Sequence, residues 1–185
     1  MKHELTLDRK IIASLKHIVS KDEARYTLMG ISLRCLNGLP TFTATNGKSL
    51  VSIQGNEILN KDIDVIIPTR IPHRLCTVII DDEAKTITYK EPGCETILPL
   101  IDSKYPNYLK VVPNELGKIE PVTLSIHLLE DVMKSAKAYG GNKNGLYCHA
   151  NRKDASIFAL DGCPEWFGML MPIRSDVTIP SWLTK

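Results

Sequence analysis

The side chains able to do chemistry in this sequence do not gather into a catalytic pattern. Cys35, Cys76, Cys94, Cys148 and Cys163 lie far apart with no C-x-x-C pair, so a zinc cage lacks paired ligands. Their number is odd and their density low, which argues against a disulfide framework and for reduced, mostly buried thiols in a cytoplasmic protein. His73, His127 and His149 have no serine, cysteine or aspartate partner in a recognisable arrangement. Asp81-Asp82-Glu83 sits between two strand-like runs, where solvated carboxylates at a hairpin tip are expected rather than a metal site. The loop Gly140-Gly141-Asn142-Lys143-Asn144-Gly145 lacks the Lys-Ser/Thr pair of a phosphate loop, and it ends a helix instead of beginning one. The expectation is a protein that is not an enzyme, with no metal and no cofactor.

One charged pattern does suggest a partner. On a helix, Arg9, Lys10, Lys16 and His17 share one arc with no acid among them, a strip suited to a phosphate backbone. Arg70 and Arg74 extend the same theme further along the chain. A solvated basic face accounts for the pattern equally well.

The elements that would carry these residues repeat. Leu5-Thr6-Leu7 leads into Asp8-Arg9-Lys10-Ile11-Ile12, Val65-Ile66-Ile67 into Pro68-Thr69-Arg70-Ile71, and Val122-Thr123-Leu124 into Ser125-Ile126-His127-Leu128-Leu129. Asp8, Pro68 and Ser125 all suit a helix N-terminus. The interval of about 60 residues indicates one supersecondary unit used three times. In the first unit the spacing predicts a helix over Leu7 to Ser20 with Ile11, Ile12, Leu15, Ile18 and Val19 on its buried stripe. Strands are expected over Tyr26 to Leu36, Pro40 to Thr45 and Ser49 to Gln54, with Asn-Gly turns between them. The second unit reads as a short helix from Pro68 to about Cys76, then strands at 77–80, 86–89 and 95–100. The third has a helix from Ser125 to about Ala138, then strands at 146–150, 156–160 and 167–173. Three β-α-β-β-β units make an α+β protein.

Composition sets the outer bounds. The 185 residues suffice for one domain or two small ones, and a net charge of +2 does not by itself argue for nucleic acid. No run approaches the roughly 20 apolar residues needed to cross a bilayer. The opening Met1-Lys2-His3-Glu4 lacks the apolar core of a signal peptide, in keeping with a cytoplasmic location.

Short motifs distributed along the chain resemble the bacterial DNA polymerase III β sliding clamp family. Arg25-Tyr26-Thr27-Leu28-Met29-Gly30-Ile31 and then Ala44-Thr45-Asn46-Gly47-Lys48-Ser49-Leu50 resemble the family's middle domain, the latter similar to its "ATDGHRL". Tyr105-Pro106-Asn107-Tyr108 with Val111-Val112-Pro113 is similar to its "FPDY…VIP", and Met169-Leu170-Met171-Pro172-Ile173-Arg174 to its closing "VMPMRL". The resemblance takes in the middle domain and the second half of the third. It implies a DNA-clamp-like fold divided into a complete domain over 1–114, a half-domain over 115–174 and a tail over 175–185.

The resemblance further implies a non-enzymatic platform for DNA replication, in a reduced, phage-type form. Partners would be duplex DNA, held non-specifically through its backbone, polymerase or other clamp-binding peptides, and further copies of the chain. The peptide pocket would involve Leu28, Thr45, Gly47, Leu50, Pro113, Met171, Pro172 and Arg174. Arg9, Lys10, Lys16, His17, Arg70 and Arg74 would face DNA. Where the family has "HRL" this chain has Lys48-Ser49-Leu50, so the family's pocket arginine is missing. An alternative with the same fold is a clamp mimic or regulator that binds such peptides, or a host clamp, without encircling DNA. The tail, with Ile179, Pro180, Trp182 and Leu183, is expected to cover the pocket or to contribute an oligomer contact.

Overall fold

The computed structural model describes residues 2–36, 38–59, 61–70, 76–113, 115–150 and 154–173, with Cys76 described by its backbone. The first unit comprises β1 (Lys2–Leu7), α1 (Arg9–Leu15), β2 (Ile31–Cys35), β3 (Thr41–Thr45) and β4 (Ser49–Gln54). The second comprises β5 (Ile63–Ile67), β6 (Cys76–Asp81), β7 (Thr86–Glu91) and β8 (Cys94–Pro99). The third comprises α2 (Ile126–Gly140), β9 (Leu146–His149), β10 (Ser156–Leu160) and β11 (Cys163–Leu170). Short 3-10 helices span Glu23–Met29, which is broken by a kink at Arg25, and Tyr108–Val111.

The first two units interlock by exchanging strands. β1 lies antiparallel beside β6 in a four-stranded sheet of order β1-β6-β7-β8, and β5 lies antiparallel beside β2 in the other sheet. That second sheet does not stop at the unit boundary. β4 pairs with β11, giving seven strands in the order β5-β2-β3-β4-β11-β10-β9. Mixed helices and antiparallel sheets make this an α+β fold, as the sequence pattern predicts.

The larger of two apolar clusters draws on both sheets and both helices. Leu5 and Leu7 of β1, Ile11, Ile12 and Leu15 of α1, Val78, Ile80 and Tyr89 of the four-stranded sheet, and Leu33, Phe42 and Val51 of the seven-stranded sheet all belong to it, together with Val132 and Ala136 of α2. At the junction of the first and third units the contact is polar and tight. Ser14 Oγ and Ser135 Oγ lie 2.7 Å apart, and Trp166 Nε1 donates to Ser14 Oγ at 3.3 Å. Both serines are fully buried, and their small side chains let α1 and α2 approach closely.

Several expectations need correction. α1 ends at Leu15, and Leu7 belongs to β1. The chain has to turn after Ile18 so that Ser20 N can donate to Leu28 O at 2.9 Å. Residues 23–29 form a 3-10 helix rather than the start of a strand. Asp22 caps it by accepting from Ala24 N at 3.0 Å, and the strand begins only after Gly30. A Cβ on Gly30 would collide with Ile66 and Ile101, so this close backbone approach needs glycine. Val122-Thr123-Leu124 is not a strand but carries one bridge, Thr123 to Ile173. In the first two units the matching strand is completed by the neighbouring unit's sheet. Residues 71–75 of the expected second helix, including His73 and Arg74, lie outside the described residues, as do Arg174 and the tail.

The expected helix caps and acidic hairpin turn match the structure. Asp8 Oδ1 accepts from Lys10 N at 2.8 Å, and the Ser125 hydroxyl accepts from Leu128 N, each capping a helix start. Asp81 Oδ1 accepts from Glu83 N and Ala84 N, each at 3.1 Å, so the acidic cluster builds a hairpin turn. Among the described residues no group of His, Cys, Asp and Glu could hold a metal, and no helix is long and apolar enough to cross a membrane.

The Trp166 node yields a test of this packing. A Cβ at Gly168 would sit 2.7 Å from Trp166 Cη2, in a site with no slack. Gly168→Ala is expected to destabilise the protein by about 1–3 kcal/mol through overpacking, read as a lower urea midpoint. An unchanged midpoint would show that the indole is not wedged in place.

Candidate functional site

A cavity of about 270 Å³ opens where three stretches of chain converge. The turn from Thr45 to Leu50 forms one wall, the segment from Pro106 to Val111 a second, and the end of β11, Met169 to Met171, a third. Leu28 and Ala155 complete it. Leu50, Met169 and Leu170 are buried, whereas Met171 is 46% exposed at the rim. Such a volume fits one or two apolar side chains.

The turn is fixed by its own hydrogen bonds. Asn46 Oδ1 accepts from Lys48 N at 2.9 Å and from Ser49 N at 2.8 Å. Thr45 Oγ1 donates to Ser49 O at 2.7 Å and accepts from Gly47 N at 3.1 Å. Gly47 takes φ +87°, which suits glycine, and its bare Cα leaves room for Arg25, whose Nη1 would lie 2.9 Å from an added Cβ. Met171 N then donates to Lys48 O at 2.9 Å, tying the end of β11 to the same turn. The opposite wall is stiffened by an edge-to-face pair, Tyr105 and Tyr108, with ring centroids 6.4 Å apart. Burial pushes the Tyr105 hydroxyl pKa well above that of free tyrosine, so this ring stays neutral behind Tyr108.

Of the residues expected in a pocket, Leu28, Thr45, Gly47, Leu50 and Met171 line this one cavity. Pro113 and Pro172 do not line it, and Arg174 lies outside the described residues. Residues not singled out beforehand are Lys48, Ser49, Pro106, Asn107, Tyr108, Val111, Ala155, Met169 and Leu170. The Tyr105-Pro106-Asn107-Tyr108 motif was a signal for one wall, whereas nothing local marked Ala155. The family's arginine is missing at position 49, and a guanidinium reaches the same turn from Arg25. Its Nη1 donates to Asn46 O at 3.3 Å, and its Nε lies 3.6 Å from Asp22 Oδ2. A larger groove of about 760 Å³ adjoins the cavity, sharing Leu50 and Tyr108 and adding Leu36, Leu39, Ile58 and Phe167.

The basic residues differ in exposure. Arg9, Lys10 and Arg70 are exposed, but Lys16 and His17 are half-buried in the turn after α1. Burial lowers the pKa of His17. Asp131 nearby opposes that shift, while Lys134 and Lys21 add to it. His17 is therefore a neutral packing group against α2 at physiological pH, and the charge of this face rests on Arg9, Lys10 and Lys16.

Comparison with known proteins points in one direction. Two curated proteins named "Beta sliding clamp" match, from Chlamydia pneumoniae at 28% identity over 118 residues and from Chlamydia muridarum at 26% over 118 residues. Each match takes in 59% of this chain and 31% of the relative, so the chain corresponds to about a third of those proteins' length. No family model matches. In fold, the DNA polymerase III β subunit of Thermotoga maritima superposes with a TM-score of 0.74 at 12% identity, covering 94% of this chain and 66% of that one. The Bacillus subtilis sliding clamp gives 0.72 at 12%, covering 95% and 65%. The chain thus has the fold of sliding clamps and resembles them in sequence over part of their length.

The lowered His17 pKa has a sign that can be tested. The folded state disfavours protonation, so the unfolded chain binds more protons just below the ordinary imidazole value of 6.5. Stability from neutral His17 is present above that value and is lost as pH falls through it toward the folded pKa. The melting temperature of the wild type is expected to drop more between pH 7 and pH 5 than that of His17→Gln. Equal drops would remove His17 from the pH response.

Proposed function

We propose that this protein is a sliding-clamp-like, non-enzymatic binding platform of cytoplasmic DNA replication. It docks partner peptides in the cavity beside Gly47 and assembles with further copies to hold duplex DNA. The observation that carries the reading is that the Thr45–Leu50 turn, the Pro106–Val111 segment and the end of β11 close one apolar cavity in a chain with the clamp fold. A short apolar side chain would enter between Leu50, Met169 and Met171, and the adjoining groove would take the rest of the peptide. Exposed Arg9 and Lys10, with Lys16, would meet DNA phosphates without reading sequence. In this proposal residues 1–114 form a complete clamp-like domain, 115–174 a half-domain and 175–185 a tail.

A second reading is a clamp mimic or regulator that binds the same peptides without encircling DNA. It is favoured by one internal feature: a segment of only about a dozen residues separates Pro113 from the cap of α2 at Ser125, leaving no room for a further unit beside the third.

Fluorescently labelled peptides from polymerases that dock on bacterial sliding clamps provide the test. Binding at submillimolar concentration is expected, weakened at least tenfold by Met171→Glu, whose site at the rim tolerates charge in the folded protein. No binding by the wild type, or equal binding by the variant, would overturn the pocket assignment. Non-specific duplex binding that falls steeply with salt, and is lost in Lys10→Glu with Lys16→Glu, supports the platform. Peptide binding with no DNA binding at low salt would select the regulator.

A further inference from the structure

The third unit presents two open features side by side. β9 is the terminal strand of the seven-stranded sheet, and no strand among the described residues is bonded to its outer edge. Tyr147 and Cys148 on that edge are exposed. Next to it, Met133, Ala136, Lys137, Leu146 and Leu160 surround an unfilled, mostly apolar groove of about 120 Å³ between α2 and the sheet. Ile126 at the start of α2 is 86% exposed. The linker reaches only the far end of β9, where Glu120 N donates to Ala150 O at 3.1 Å.

The first two units show what covers such a face. They exchange strands with matching registers. Leu7 opposes Cys76 and Leu5 opposes Val78 in one direction, while Ile67 opposes Ile31 and Val65 opposes Leu33 in the other. The third unit keeps both halves of that exchange. Ile173 N donates to Thr123 O at 2.8 Å, as Ile101 N donates to Ile66 O at 3.0 Å, so Thr123 sits where Ile66 does. The turn that pairs Leu160 with Cys163 matches the one that pairs Glu91 with Cys94, and this places Cys148 where Val78 is.

We infer that a second copy of this chain covers the face by repeating the exchange across a two-fold axis. The Val122–Leu124 segment of each copy adds to the β9 edge of the other, with Val122 opposite Cys148 and Leu124 opposite Leu146. The contact is isologous, the commonest way for identical chains to close. Charge supports the choice of a second copy over an unrelated partner. With α2 antiparallel to its copy and the axis beside Met133, Glu130 of each copy, which also pairs with Lys134 of its own helix at 2.9 Å, faces Lys137 of the other. Adding the Val122–Leu124 segment also removes the exposed β9 edge, which would otherwise invite indiscriminate pairing. The inference stands on strand topology and does not depend on the peptide pocket.

Cross-linking and sedimentation test it on the full chain. Directly opposed residues of an antiparallel pair have Cβ atoms about 4.5–5.5 Å apart, near enough for a disulfide with slight adjustment. In a Cys94→Ser background, Val122→Cys is expected to form a covalent dimer on mild oxidation, and adding Cys148→Ser should abolish it. Wild-type protein should sediment at twice its 20.7 kDa mass or a higher even multiple. Lys137→Glu should weaken association at least tenfold, and Glu130→Lys with Lys137→Glu should restore it, while peptide binding stays unchanged. A wild-type monomer, a cross-link indifferent to Cys148 or a closed intrachain disulfide would overturn the proposal.

Discussion

The structure depends on one buried contact between distant parts of the chain. Ser14 and Ser135 touch where α1 meets α2, and the Trp166 indole donates into the same point from β11. Burying hydroxyls and an indole N–H without partners would cost a few kcal/mol, so the two helices and the strand are held to one arrangement. Gly168 leaves the space in which the indole ring lies. With that point fixed, β11 runs antiparallel to β4 from Trp166 opposite Ile53 to Leu170 opposite Ser49. The first and third units therefore share a sheet and a core.

The cavity follows from that register. Because Leu170 pairs with Ser49, the end of β11 arrives beside the Thr45–Leu50 turn, and Met171 N finds Lys48 O. The turn itself is rigid, since Asn46 and Thr45 side chains take up the backbone groups that a tight reversal leaves over. The third wall, Pro106 to Val111, comes from the chain leaving β8. A site assembled from three such sources is stiff without any one element being long, and apolar contacts rather than charges set what can enter it.

How much of this was legible in the sequence depended on whether a feature was local. Helix caps at Asp8 and Ser125, the Asn46-Gly47 turn and the strand alternation are short-range signals, and the structure has them where the residues imply. The 3-10 helix at Glu23–Met29 was misread because Tyr-Thr-Leu-Met is as good a strand sequence as a helical one, and only the fit of Gly30 against Ile66 and Ile101 settles where the strand begins. His17 looked like part of a basic strip because helical spacing does not reveal that α2 covers it. Ala155 and Met169 reach the cavity through the β4–β11 register, a long-range fact that no local pattern encodes. The motifs at Thr45–Leu50 and Tyr105–Tyr108 marked two of its walls, but their meeting is a property of the fold.

Three units also create an asymmetry that two would not. Units one and two satisfy each other: each lends the strand before its helix and receives one in return, so neither β6 nor β2 is left with a bare edge. The third unit is fixed to the first on one side only, through β11 and α2. Its other side carries the same parts in the same register, a pre-helix segment at Val122–Leu124 and a post-helix strand at β9, and among the described residues no strand is bonded to the outer edge of β9. A β-α-β-β-β unit buries one helix face through its own strands and needs a neighbour for the rest. Where one strand-exchanging unit has no described neighbour on one side, an identical face on a second chain can offer it the same exchange.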